Sequence, residues 1–422
     1  MGAVQNVVVV VFMVIVAAVI IRIIRSRRRA SQETAATDQG VPTFRVVALG
    51  PRGSGKTLLL ASMYHQMQTQ SGRSYFLTAP YEQVVLLNQW FTEVADTGRD
   101  WPSGTAVADT REFTFTVRTR ASSGTPHTVM NLGYLEYAGG LLTEPQAPGS
   151  TLQADLLQRV ESADALLGII DGYRVRQWLD GHYEGKMRLQ HTLTAMISLM
   201  MLVSSPITFV ITKWDLLADI DVDEDARLQI VRKLLMSNQG FNDLVRTHSS
   251  HRVVRLIPVS AVGPDFAALD GQGMVAKLPD GYVHPTNVDV PLAAVVPDVF
   301  EQVERAMDKA KLQAVLAGVR RQATGPAGAL AELGSFVVQT TGRALGAVSP
   351  MYAGFVGAAV AELFQSQDGS AADPRADADR RLGEAERTIE EFHLARRKVI
   401  REFQSRVDVL EGRLPSSRLS GE

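Results

Sequence analysis

The chain has 422 residues, a formal net charge of −2, 45% hydrophobic and 21% charged residues, and no cysteine. That length and apolar content provide a sizeable buried core in one large or two medium domains. The near-neutral charge gives no ground for nucleic acid as a partner, and the lack of cysteine excludes disulfides, thiolate metal sites and cysteine nucleophiles.

Val7 to Ile21 is an unbroken apolar run. Counted over residues 3–24, it is about 22 residues, or roughly 33 Å as a helix, enough to cross a bilayer. Arg22, Arg25, Arg27, Arg28 and Arg29 follow, and no lysine or arginine precedes. The positive flank predicts a single-pass cell-membrane anchor with the N-terminus outside and the remainder cytoplasmic. The run lacks a convincing basic start and small-residue cleavage site of a signal peptide. Residues 1–29 therefore read as anchor and basic flank, and 30–42, polar throughout, as a linker.

Phe44 to Leu49 reads as a buried strand running into Gly50–Pro51–Arg52–Gly53–Ser54–Gly55–Lys56–Thr57, which matches G-x-x-x-x-G-K-[ST]. Its glycines let several backbone N–H groups converge on one point. Lys56 can reach the β- and γ-phosphates, and the Thr57 hydroxyl can coordinate Mg2+. The helix expected from Thr57 to Gln68 aims its positive dipole end at the phosphates. An insertion follows, Gln70 to Gly104. It contains a helix over Pro80–Ala95 and ends in the loop chemistry of Trp101–Pro102–Ser103–Gly104–Thr105.

Arg111–Arg120 alternates apolar and polar residues and reads as a half-buried strand, returning through a turn as a second strand over His127–Tyr137. Strands over Ala165–Ile170, Ile207–Thr212 and Val253–Val259 then alternate with helices over Gly185–Val203, Asp223–Met236 and Pro297–Leu312. This order predicts an α/β fold with a mostly parallel sheet and one antiparallel hairpin strand, with ligands at the carboxyl ends of the strands.

Residues 43–312 form the expected nucleotide domain. Residues 313–365 read as an apolar Ala/Gly-rich helical region, within which 344–361 carries no charge and competes as a second, weak membrane segment. Residues 366–379 read as a linker and 380–422 as an amphipathic helix and tail. Leu382, Ile389, Phe392, Val399, Phe403, Val407, Leu410 and Leu414 are spaced for a short coiled coil, giving self-association through 380–414, or for a solvated helix with one docked face.

Thr212–Lys213–Trp214–Asp215 ends the Ile207–Thr212 strand. A carboxylate there can accept two hydrogen bonds from guanine N1–H and N2–H2, a donor pair adenine lacks. A buried acceptor left unpaired costs about 1–3 kcal/mol. On these residues the chain resembles Ras-like GTPases of the translation-factor-related class of P-loop proteins. It is most similar to bacterial double-GTPase-type proteins, in the helical insertion before the first switch and the long segment before the last helix. A membrane anchor ahead of a small G domain is also similar to the β subunit of the signal recognition particle receptor.

The resemblance covers about residues 43–312. It implies that Gly50, Arg52, Gly53, Ser54, Gly55, Lys56 and Thr57 bind phosphates, and that Thr212, Lys213, Asp215, Ser260 and Ala261 bind the base. It further implies that Thr105, with Thr110 as runner-up, is the first-switch threonine. Glu136–Tyr137–Ala138–Gly139 stands at the D-x-x-G position, with Thr57, Thr105 and Glu136 as Mg2+ ligands and Gly139 contacting the γ-phosphate. Thr212 replaces the usual Asn, Glu136 the usual Asp, and Gly140 the glutamine that orients attacking water. The implied function is a slow GTPase switch exchanging GTP and GDP and acting on an effector protein. Lys56, Thr105, Gly139 and Arg52 are its catalytic candidates. Arg52 either stabilises transition-state charge in cis or faces solvent. Two other readings remain open: a non-hydrolysing GTP-dependent scaffold, and an ATPase with Asp171 as its Mg2+ residue.

Overall fold

The computed structural model describes residues 43–70, 72–102, 110–120, 126–137, 139–140, 151–203, 205–250, 252–270, 273–297, 394–395 and 397–419. They belong to one compact unit, Thr43–Arg305 with Glu391–Glu422. The other unit, 1–42 with 306–390, lies outside the described residues, and so do the expected anchor over 3–24 and the regions 313–365 and 366–379. Among the described residues no helix is long and apolar enough to cross a membrane.

In chain order the elements are β1 (Thr43–Leu49), α1 (Lys56–Met67), β2 (Tyr75–Thr78), α2 (Tyr81–Ala95), β3 (Arg111–Arg120) and β4 (Pro126–Glu136). Next come α3 (Thr151–Glu161), β5 (Ala165–Asp171), α4 (Gly172–Leu179), α5 (Tyr183–Met200) and β6 (Ile207–Thr212). A 3-10 turn over Trp214–Leu217 leads to α6 (Glu224–Met236), α7 (Gln239–Ser249), β7 (Val254–Pro258), β8 (Ala267–Leu269) and β9 (Val275–Lys277). Helix α8 covers 290–297 and α9 covers 397–413, followed by a 3-10 turn, Pro415–Ser417, and β10, Arg418–Leu419.

One eight-stranded sheet orders these strands β10-β7-β6-β5-β1-β4-β3-β2. The five central strands, β7 to β4, run parallel. Every residue of β5 and β6 is buried, which is why both read as largely apolar runs rather than alternating ones. The fold is α/β with a mostly parallel mixed sheet. It has more antiparallel pairing than a single hairpin: β3 pairs with β4, β2 with β3, and β10 with β7.

Three local expectations need correction. The insertion after α1 contributes a strand, β2, as well as a helix. No helix was expected between Ile170 and Gly185, yet Asp171–Gly172 opens α4 directly, because the Asp171 side chain accepts from the Tyr173 N–H and caps the helix. A small separate hairpin, β8–β9, occupies the long segment after β7. Of the expected helix over Pro297–Leu312, only residue 297 is described, and it is helical, within α8.

Of the two expectations for the C-terminal helix, the docked face is what α9 displays. Val399, Phe403, Val407, Leu410 and Leu414 are buried, while the residues between them are largely exposed. Phe403 packs its ring 4.4 Å from that of Tyr75 in β2. Arg406 donates twice to Asp289, at 2.9 and 3.0 Å, and Arg255 of β7 donates to Glu411 at 2.8 Å. The helix therefore contacts both the β2 edge and β7, and β10 extends the sheet beyond β7. Residues 380–393 lie outside the described residues.

Candidate functional site

In the five-strand parallel core, β1 sits between β4 and β5, the two directions in which the chain builds outward. Ligands bind such sheets at the carboxyl ends of the strands where the order reverses. The register brings Ala48 of β1 beside Glu136 of β4, and Asp171 of β5 beside Thr212 of β6. Gly50 follows β1 directly, so the phosphate-loop sequence starts at this switch point.

Within the loop Gly55 has φ 85°, a left-handed conformation that glycine adopts without strain, and it serves as the N-cap of α1. Ser54 is buried and its hydroxyl donates to the Pro51 carbonyl at 2.8 Å. Lys56 is buried too. Its ammonium donates to the carbonyls of Gly50 at 2.8 Å and Pro51 at 2.9 Å, holding it across the loop. Burial lowers its pKa to about 8, against the opposing pull of the Glu136 and Asp171 carboxylates. Arg52 and Gly53 are exposed at the loop's tip.

Glu136, almost fully buried, ends β4 with its Oε1 accepting from the Thr57 hydroxyl. Gly139 lies against the loop so closely that an added Cβ would sit 2.0 Å from the Arg52 nitrogen. Only glycine fits there. Thr110 immediately precedes β3, and its hydroxyl is buried without a hydrogen-bond partner. Thr105 lies outside the described residues. Among the described residues no group of three or more His, Cys, Asp or Glu side chains is placed to hold a metal. The Thr57–Glu136 oxygen pair nonetheless suits Mg2+, a hard cation that keeps several waters and takes oxygens from a bound phosphate.

Thr212 ties the second loop to the first: its hydroxyl donates to the Ser54 carbonyl at 2.6 Å. Lys213 takes a left-handed conformation, φ 52°, and reaches back to the Gly53 carbonyl at 2.8 Å and to Asp171 at 2.9 Å. Trp214 packs inward, while Asp215 accepts from the Ser260 hydroxyl at 2.5 Å. Burial holds the Asp215 carboxyl above the usual carboxylate range, and the Ser260 hydrogen bond opposes that rise. Ala261 follows, its carbonyl accepting from Ser62 of α1 at 2.8 Å. Asp171, by contrast, is taken up by the α4 cap and by Lys213.

These loops open onto one cavity of about 470 Å3. Arg52, Gly53, Gly55, Lys56, Thr57, Glu136 and Gly139 line it, as do Thr212, Lys213, Asp215 and Ala261; Asp171 does not. Ser54 and Ser260 stand behind the lining, each bonded to residues of it. Its volume falls in the range typical of small-molecule and cofactor sites, roughly 300–1,000 Å3.

Comparison with protein-family models and with curated proteins returned no match.

Sequence reasoning missed the apolar and aromatic wall of this cavity. Leu58, Trp90, Trp101, Leu216, Val262 and Val275 line it, along with Arg111, whose guanidinium lies 5.0 Å from the Trp90 ring centroid. Trp101 donates to the Val275 carbonyl of β9 at 2.9 Å and sets its ring edge-on to Phe266. Lys277 reaches from β9 to the carbonyls of Glu93 and Asp96 at the end of α2. The insertion and the β8–β9 hairpin are thus stitched together as one wall. Its only sequence signal was the aromatic Trp101 standing in an otherwise polar loop.

Proposed function

We propose that the chain is a Ras-like P-loop protein that binds GTP, hydrolyses it slowly to GDP, and acts as a switch tethered to a membrane through residues 3–24. The observation that carries this reading is the sharing of one cavity by the phosphate loop and the buried Asp215 carboxylate. The loop amides and Lys56 suit a triphosphate. The carboxylate suits a purine edge that offers two adjacent donors, which guanine has and adenine lacks.

Mg2+ held by Thr57 and Glu136 would neutralise charge on the β- and γ-phosphates. Every other role falls to the chain itself. Lys56 holds the phosphate oxygens, the Gly139 backbone adjoins the loop where a γ-phosphate sits, and Thr212 keeps the two loops in register. Gly140 offers no side chain to orient water, which fits slow turnover. The seating of Glu136 beside Thr57, with Asp171 engaged elsewhere, favours Glu136 as the acidic metal ligand and a GTPase over an ATPase.

The test is direct binding of labelled GTP and ATP to the purified full chain, with turnover measured alongside. GTP should bind in preference to ATP, with turnover lost in Lys56→Ala; equal competition by ATP overturns the reading. Membrane tethering is checked separately, by asking whether deletion of 3–24 releases the protein from the membrane fraction.

A further inference from the structure

A second cavity, of about 390 Å3, adjoins the phosphate loop. Its polar and charged walls come from three elements: Arg52 of the loop, Asp171 and Arg174 around the start of α4, and Arg188 and His191 of α5. Arg188 and His191 are three apart on a helix and so share a face. Arg52 lines both this cavity and the nucleotide cavity; Arg174 and Arg188 line this one alone.

The charge in this cavity is poorly compensated. Among the described residues Asp171 is the acid on the wall, and its Oδ1 already serves Lys213 at 2.9 Å and the Tyr173 N–H at 3.1 Å. Among the described residues Arg174 meets no carboxylate: it donates to the Gln177 side-chain amide oxygen at 2.6 Å and lies 5.1 Å from the centre of the Tyr173 ring. Arg188 pairs with Glu184 at 2.6 Å, but the two side chains are 60% and 71% exposed, so water and salt screen that pair. Arg52 has no carboxylate partner among the described residues. Three arginines thus line one concave space that, among the described residues, has one carboxylate on its wall. Guanidinium forks match the paired oxygens of phosphate, and a charge-assisted contact of this kind is roughly twice as strong as a neutral one.

We propose that this cavity binds a phosphate-class oxyanion, held by Arg174 and Arg188, with Arg52 on the boundary between the two cavities. The anion site stands on its own lining. Its use as a first stop for the phosphate released by hydrolysis rests on the nucleotide reading above.

The experiment is a calorimetric titration of the full chain, saturated with GDP and Mg2+, with inorganic phosphate, beside an Arg174→Gln/Arg188→Gln variant. Phosphate should bind the parent chain and bind the variant about tenfold or more weakly, with GDP affinity unchanged. Equal phosphate affinity in both proteins, no binding to the parent at millimolar phosphate, or equal displacement by chloride at the same ionic strength each overturns the proposal. Should the double variant fail to fold, Arg188→Glu, on the exposed face of α5, carries the same comparison. GDP binding serves as the control that separates the two readings. A chain that binds phosphate but not GDP keeps the anion site and loses the nucleotide function, and the reverse result loses only the site.

Discussion

Asp215 concentrates the chemistry of the candidate site in one side chain. It is buried and pinned through Ser260, and its carboxyl holds a proton more tightly than its ordinary 3.8. Between 3.8 and that raised value the folded chain carries a proton that the unfolded chain has released. Its contribution to stability is therefore present at low pH and lost as pH rises through the folded value. Recognition of guanine needs the ionised form, so GTP affinity should run the other way and fall on acidification through the same value. Asp215→Asn should flatten both trends, weaken GTP by roughly 5- to 150-fold and admit xanthine nucleotide. Binding and urea melts, run as a pH series from acid towards neutrality, check this. Gly139→Ala places a methyl group where the Arg52 backbone already stands, so it should displace the loop and reduce nucleotide binding by about tenfold or more, in a protein that still folds. Lys56, Thr57 and Asp215 were legible because their spacing belongs to the chain alone. Trp101 and Arg111 were not, since their place on the cavity wall depends on pairings with β9 and β4 that no local pattern announces.

At the scale of elements, α9 is the clearest case of a legible pattern with an illegible destination. The three- and four-residue spacing of Val399, Phe403, Val407, Leu410 and Leu414 predicts an apolar stripe. Whether the stripe meets a partner helix or its own sheet is decided by Tyr75 and Asp289, more than a hundred residues away. Asp289 is wholly buried and holds Arg406 by two hydrogen bonds, with Arg73 at 3.4 Å as a third contact. Arg406→Ala leaves that carboxylate with its longer partner alone and should cost on the order of 3 kcal/mol. Phe403→Ala removes a fully buried ring and should cost about 3–5 kcal/mol. Urea midpoints at unchanged slope measure both. Helix α4 was missed for the opposite reason. It is short and opens on glycine, so propensity argues against it, and its start depends on the Asp171 cap.

For the whole molecule, the parallel core was readable from the largely apolar runs of β5 and β6 and from their alternation with helices. The sheet's margins were not. Strand β2 has four residues and β10 two, too few to show a period, and both are recruited by neighbours already in place. If α9 is an integral layer of the unit, a chain ending at residue 390 should fail to give a cooperative unfolding transition, which thermal melts of the two lengths would compare.

The distance in sequence between β7, which ends at Pro258, and the described helix α9, from 397 on, has a consequence for biosynthesis. At roughly 5–20 residues per second, the ribosome needs on the order of ten seconds to travel from one to the other. Throughout that interval the emerging sheet waits with Phe403's berth open and greasy. Newly made molecules should therefore lean on a holding chaperone until their late helix arrives.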